Sequence, residues 1–104
     1  MSLANLSEKD RDVVRQCLRA AVDGPFFPDS EFQTLFGLER TEVKSVLQSW
    51  PNLDESQESV RLAINNSFNN LLGYPHRCER QWPLFISVTE KDAERIFNQW
   101  RGDV

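Results

Sequence analysis

Residues 31–50 read EFQTLFGLERTEVKSVLQSW, a pattern that predicts two short helices joined by a tight turn. Apolar residues recur three and four positions apart on both sides of Gly37, as they do on the buried face of a helix. Glycine takes the left-handed conformation that closes a helix. We expect a helical hairpin whose first helix is capped by Ser30 with Gln33 and whose second helix ends before Pro51.

The segment LFGLERTEVKSVL, residues 35–47, resembles the helix-turn-helix of bacterial repressors. The resemblance lies in the small turn residue Gly37, the apolar Leu38 after it and the apolar face of the second helix. In that motif the second helix enters the major groove of DNA, and its first residues contact base edges. The residues at those positions here are Glu39, Arg40, Thr41, Glu42, Lys44 and Ser45.

The charges on this second helix disagree with the DNA-binding pattern. Glu39 and Glu42 place two carboxylates where contacts to phosphates and bases would form. Because most of the affinity for DNA comes from neutralising phosphates, this arrangement favours a structural hairpin over a DNA reader.

The composition indicates one domain, residues 1–104, with a single core. Hydrophobic residues make up 39% of the chain, and they include seven Phe and three Trp, which is enough to fold alone. Sixteen acidic and twelve basic residues give a net charge of −4. This balance disfavours general nucleic-acid binding and suits a protein that meets basic partners.

The sequence predicts a cytoplasmic protein with reduced thiols. It has two cysteines, Cys17 and Cys78, no signal-peptide pattern and no apolar run long enough to span a membrane. We therefore expect no membrane association.

The rest of the chain repeats the helical signals of the hairpin. Ser7 and Thr89 each precede an acidic residue by three positions, which predicts helix starts, and each of the four glycines follows a predicted helix. Pro83 restricts residues 82–88, for which we expect an extended segment packed across helices. The prediction is an all-α, compact five-helix domain. Its expected core is Val14, Leu18, Phe32, Phe36, Val43, Leu47, Ile64, Phe68, Leu71, Ile96, Phe97 and Trp100.

Three arginines on the first helix form a possible basic ridge. Arg11, Arg15 and Arg19 recur every four residues beside the apolar face. One interpretation is a solvated stripe paired with Glu8 and Asp12, where each pair contributes about 0.3 kcal/mol. The other is a ridge that binds phosphate or a partner's carboxylates, and the first is favoured.

The fourth predicted helix, which ends at Leu72 with Gly73 as its cap, carries an unusual polar face. Asparagine costs about 0.6 kcal/mol relative to alanine in a helix, so four in one helix call for an explanation. One is a buried polar network, with residues 82–88 folded over the helix; another is an external contact surface; a third is a merely solvated face. The residues of this predicted partner-binding face are Leu62, Asn65, Asn66, Asn69 and Asn70.

We expect no enzymatic activity, cofactor or metal. His76 and Cys78 are close in sequence, but no third group that would orient them is evident. With Cys17 they do not form a recognised zinc spacing, and no glycine-rich phosphate loop occurs.

The segments FNNLLGYPH and GPFFPDSEF are similar to a group of small bacterial proteins without assigned activity. This resemblance implies a bacterial cytoplasmic protein and contributes no site residues. The sequence as a whole favours a non-enzymatic, acidic helical interaction module that binds another protein, either a basic one or a second copy of itself. The alternative is a helix-turn-helix DNA-binding regulator.

Overall fold

The computed structural model describes residues 1–102, and these residues contain helices and no β-strand. The all-α prediction is therefore confirmed, with two short helices, a 3-10 helix and α5, beyond the five expected. A 3-10 helix at Leu3–Asn5 precedes α1 (Glu8–Asp23), α2 (Asp29–Phe36), α3 (Arg40–Gln48), α4 (Glu58–Gly73), α5 (Trp82–Phe85) and α6 (Glu90–Arg101).

Side-chain caps begin α1 and α6 as predicted. The hydroxyl oxygen of Ser7 accepts from the backbone N–H of Asp10, and that of Thr89 accepts from the N–H of Asp92, each at 3.1 Å. The cap predicted at Ser30 is wrong, because α2 begins at Asp29 and Ser30 lies in its first turn. Proline has a φ fixed near the value that a helix entry needs, and Pro28 precedes α2 without a side-chain hydrogen bond.

Gly24, Gly37 and Gly102 close their helices as expected, and Gly73 does not. Gly37 after α2 has φ +67° and Gly102 after α6 has φ +81°, both in the left-handed region. The prediction that Gly73 caps α4 is wrong, because Gly73 is the last residue of the helix. Tyr74 caps α4 in an extended conformation, and its N–H still donates to the carbonyl of Asn70 at 2.9 Å.

The extended segment predicted at residues 82–88 is wrong in its first half, where Trp82–Phe85 forms the one-turn helix α5. Pro83 is tolerated there because a first-turn N–H has no helical partner in any case. Trp82 is buried, and its indole N–H donates to the carbonyl of Val88 at 2.8 Å. Pro83 thus lies in the first turn of a helix where the sequence pattern predicts an extended segment.

The core forms around α1 and α4. Helix α1 packs against α3, α4 and α5, and α4 packs against α1, α2, α3 and α6. Leu47, which was predicted to be buried, is only half-buried, because α3 turns its Val43 and Val46 side inward. The other predicted core residues are all buried: Val14, Leu18, Phe32, Phe36, Val43, Ile64, Phe68, Leu71, Ile96, Phe97 and Trp100.

The carboxylate of Glu55 ties the chain's first residues to its last helix. Both oxygens of Glu55 accept from the backbone N–H of Leu3, at 3.0 and 3.1 Å. One of them also accepts from the indole N–H of Trp100 at 2.9 Å. Hydrogen bonds to a charged acceptor are stronger than neutral ones, so Glu55 helps to fix the N-terminal segment against α6.

Replacing Ser67 by alanine is expected to raise the free energy of unfolding by about 0.5–1.5 kcal/mol. Ser67 is fully buried on α4, and its hydroxyl has no hydrogen-bond partner among residues 1–102. A buried hydroxyl without a partner is unfavourable, and alanine is the better helix former. Urea denaturation measures the change. A loss of more than 1 kcal/mol would show that the hydroxyl has a stabilising partner.

Candidate functional site

The arginine at the start of α3, Arg40, points into the protein. Its side chain is 26% exposed, and its guanidinium carbon lies 4.3 Å from the centroid of the Phe32 ring. All of its hydrogen bonds are to residues that come before α3 in the sequence. The Arg40 guanidinium donates to the carbonyl oxygens of Ala21 (2.9 Å), Val22 (3.1 Å) and Phe27 (2.7 Å) and to the carboxylate of Asp29 (3.0 Å).

Arg40 therefore closes the C-terminal end of α1. The last carbonyls of a helix have no partner within the helix, and a cation there also complements the helix dipole. This role engages the only arginine among the residues that the helix-turn-helix resemblance places at the DNA.

The other polar residues at the start of α3 also serve the helix itself. The carboxylate of Glu42 accepts from the backbone N–H of Glu39 at 3.0 Å, which caps α3. The hydroxyl of Ser45 donates to the carbonyl of Thr41 at 3.1 Å. Lys44 is exposed and is the remaining cation of the set.

Two of the four asparagines on α4 bind the end of a neighbouring helix. The side-chain amide of Asn66 donates to the carbonyl of Phe36 at 2.8 Å. The amide of Asn70 donates to the carbonyl of Leu35 at 3.0 Å, and also to the carbonyl of Asn66 one turn earlier. These contacts satisfy carbonyls at the C-terminal end of α2.

The geometry thus supports an internal network for Asn66 and Asn70. Their partner is α2, so the alternative in which residues 82–88 fold over these amides is wrong. Asn70 is only 8% exposed, and an amide that donates twice inside the protein is poorly placed to bind another chain.

The remaining members of the predicted face form a ridge along α4, which we call the Leu62 ridge. It consists of Leu62, Asn65 and Asn69, spaced three and four residues apart, so they lie along one side of the helix. Leu62 and Asn65 are half-buried and Asn69 is exposed. The Asn65 amide donates to the side-chain oxygen of Asn66 at 3.1 Å, which links the ridge to the internal network.

Replacing Asn66 and Asn70 together by alanine is expected to lower the free energy of unfolding by about 1–3 kcal/mol. The change leaves the carbonyls of Leu35 and Phe36 without these donors, and the better helix propensity of alanine offsets only part of the loss. The matched control, Asn65→Ala with Asn69→Ala, should cost less than about 0.5 kcal/mol. Chemical melts of both variants measure the difference. Equal stability of the two double variants would contradict the internal role.

The three arginines of the possible basic ridge have separate surroundings. Arg15 pairs with Asp12 at 2.8 Å, and this hydrogen bond lowers the pKa of the Asp12 carboxyl. The guanidinium of Arg19 lies 5.2 Å from the centroid of the Phe85 ring. Arg11 and Arg19 are exposed and Arg15 is half-buried. Of the two acidic residues expected to pair with these arginines, Asp12 does so.

An open groove of about 370 Å³ lies between the second half of α3, the following loop and the first turn of α4. Its lining includes the carboxylates of Glu42 and Asp54 and the hydroxyls of Ser45 and Ser49, and it contains no Lys, Arg or His. Asp54 accepts from the hydroxyl of Ser56 at 2.6 Å and from its backbone N–H at 3.0 Å, which lowers the pKa of the Asp54 carboxyl.

His76 and Cys78 do not face each other as a base and a nucleophile would. His76 Nδ1 accepts from the backbone N–H of Cys78 at 2.9 Å, so the ring proton resides on Nε2, which donates to the carbonyl of Leu71 at 3.0 Å. The Cys78 thiol lies against the carbonyls of His76 and Pro25. Burial raises the pKa of the Cys17 thiol.

No protein-family model matches the chain, and no curated protein or solved structure is significantly similar to it. Within residues 1–102, none of the helices combines the length and the apolar character that crossing a membrane requires. The same residues contain no group of three or more His, Cys, Asp or Glu side chains that could hold a metal ion.

Proposed function

We propose that this chain is a non-enzymatic, acidic helical domain that binds another protein. The proposal rests on where the charged side chains lie: several arginines hold parts of the fold together, and most carboxylates are exposed. Within residues 1–102, twelve acidic and eight basic residues are exposed, so the outer surface carries an excess of four negative charges.

Three arginines illustrate the division. Arg40 closes the end of α1, as described above. Arg61 donates to the carbonyls of Glu55 and Ser56, at 2.9 and 2.8 Å, and so holds the loop before α4. Arg95 joins α6 to α1 through Asp10 at 3.1 Å and also pairs with Asp92 at 2.7 Å.

The carboxylates at the surface have few such contacts. The exposed acidic residues include Asp23, Glu39, Glu58, Glu79, Glu90 and Glu94. Outward negative charge steers association toward positively charged partners and disfavours nucleic acids. The Leu62 ridge adds one aliphatic side chain and two amides that can donate and accept at once. A basic protein is therefore the partner that this surface fits best, with a second copy of the chain as the other candidate.

The test is quantitative capture from a lysate of the native host at physiological salt, followed by calorimetry with the purified captured protein. We expect Asn65→Arg with Asn69→Arg to weaken binding at least tenfold. The control, Thr34→Arg with Gln48→Arg, adds the same charge at exposed positions on α2 and α3 and should change the affinity less than threefold. Absence of any stoichiometric protein partner would contradict the proposal, and sedimentation of the chain alone tests self-association.

The alternative function, a helix-turn-helix DNA-binding regulator, has weaker support because Arg40 faces inward and Glu39 lies on the outer surface. A mobility-shift assay with fragments of the host genome at physiological salt is expected to give no sequence-specific complex. A specific complex that is lost when Lys44 is replaced by glutamate would favour the alternative.

A further inference from the structure

We propose that the groove between α3 and α4 binds an extended basic segment of a partner protein, in which Lys or Arg side chains flank an aliphatic residue. This inference rests on the proposed function, and it names both a place on the chain and a class of ligand. Charge, hydrogen-bonding capacity and the shape of the groove support it separately.

The charge in the groove is negative and is not neutralised by a neighbouring side chain of the lining. Glu42 and Asp54 both line it, and no Lys, Arg or His does. The contacts of Asp54 with Ser56 favour its ionised form, so the carboxylate stays charged at neutral pH. Each carboxylate has one oxygen in an internal hydrogen bond, which fixes its position at the groove.

Two of the three serine hydroxyls that line the groove are arranged as acceptors, while Ser59, Asn52 and Gln57 also line it and keep groups that can donate. Ser45 donates its hydroxyl proton to the carbonyl of Thr41, and Ser49 donates its proton to the carbonyl of Ser45, both at 3.1 Å. A hydroxyl that has donated its one proton can only accept further hydrogen bonds. The two serines and two carboxylates therefore present acceptors, and ammonium and guanidinium groups are the side chains that have only donors.

The base of the groove is apolar. Val46 and Val60 line it and are 7% and 6% exposed, so they give a firm wall of methyl groups between the two helices. An aliphatic side chain of the ligand would bury apolar surface there, while its basic neighbours reach the acceptors at the rim. Acceptors around an apolar base fit a short peptide segment better than a single free cation, which would leave the valines uncovered.

The experiment is a two-dimensional ¹H–¹⁵N NMR titration of the full chain with the acetylated, amidated peptide Arg-Lys-Leu-Lys-Arg. We expect saturable shifts confined to residues 42–60. Replacing the peptide's leucine by serine should weaken binding at least threefold. A shift pattern spread over exposed carboxylates on all helices would overturn the inference, because it would indicate attraction by net charge alone. Absence of saturable shifts would also overturn it.

A matched pair of variants separates the groove from the general charge of the chain. Ser45→Lys places a cation in the groove and should weaken binding of the peptide at least fivefold. Gln48→Lys adds the same charge to the same helix at an exposed position outside the groove lining, and should weaken it less than twofold. Equal weakening by the two variants would overturn the inference, and thermal melts confirm that both fold.

The proposed function can survive the failure of this inference. If a captured host protein binds Ser45→Lys as tightly as the original chain, but is lost with Asn65→Arg and Asn69→Arg, the domain binds protein through the Leu62 ridge and the groove proposal is wrong. If the captured protein is lost with Ser45→Lys and retained with Gln48→Lys, the groove is its binding site.

Discussion

Replacing Arg40 by alanine is expected to lower the free energy of unfolding by about 3 kcal/mol. The guanidinium donates to three backbone carbonyls at 2.7–3.1 Å. A hydrogen bond to a charged group contributes about 1.5–3 kcal/mol, and the contributions of neighbouring bonds do not add fully. The ion pair with Asp29 adds little, because the Asp29 side chain is 94% exposed. Urea denaturation monitored by circular dichroism measures the loss.

Arg40→Lys is the control that separates geometry from charge. Lysine keeps the positive charge but lacks the planar guanidinium, whose N–H groups reach both the end of α1 and the carbonyl of Phe27. We expect it to recover less than half of the lost stability. If Arg40→Ala lowers the free energy of unfolding by less than about 1 kcal/mol, Arg40 is not a structural residue. Its guanidinium would then be available to contact DNA.

Replacing Phe68 by alanine is expected to lower the free energy of unfolding by about 3–5 kcal/mol, the range for a fully buried phenylalanine. Phe68 lies on α4 and is 1% exposed. Its ring stacks on that of Phe97 from α6, with 5.2 Å between the ring centroids, so the truncation leaves a cavity where the two helices meet. A chemical melt gives the value directly.

The exposed Leu84 provides the matched control for this truncation. It is 73% exposed on α5, so Leu84→Ala removes apolar atoms that water already surrounds and should cost less than about 0.5 kcal/mol. A loss below about 1 kcal/mol for Phe68→Ala would place Phe68 at the periphery and contradict the packing of α4 against α6.

Local patterns predicted most of the helices because short-range physics determines them. The caps at Ser7 and Thr89 and the left-handed turn at Gly37 depend only on residues a few positions away. The misplaced elements are those in which local signals conflict. Pro83 can begin a helix or restrict an extended segment, and the burial of Trp82 decides between them.

The roles of individual polar side chains could not be predicted in the same way. Asn66 and Asn70 each donate to a carbonyl thirty or more residues earlier, at the end of α2, so these contacts depend on how α2 and α4 pack. Arg40 reaches the end of α1 for the same reason. The four asparagines indicated a polar network or a contact surface, but only the tertiary arrangement separates the inner pair from the Leu62 ridge.

We infer that α2 and α3 form a structural hairpin and propose that the acidic outer surface binds protein. The most direct test is a ¹H–¹⁵N NMR spectrum of the labelled chain in host lysate, recorded before and after nuclease treatment. We expect signals of α4 or the α3–α4 groove to broaden, and we expect the broadening to persist after nuclease treatment. Broadening centred on residues 39–45 that nuclease abolishes would contradict this proposal.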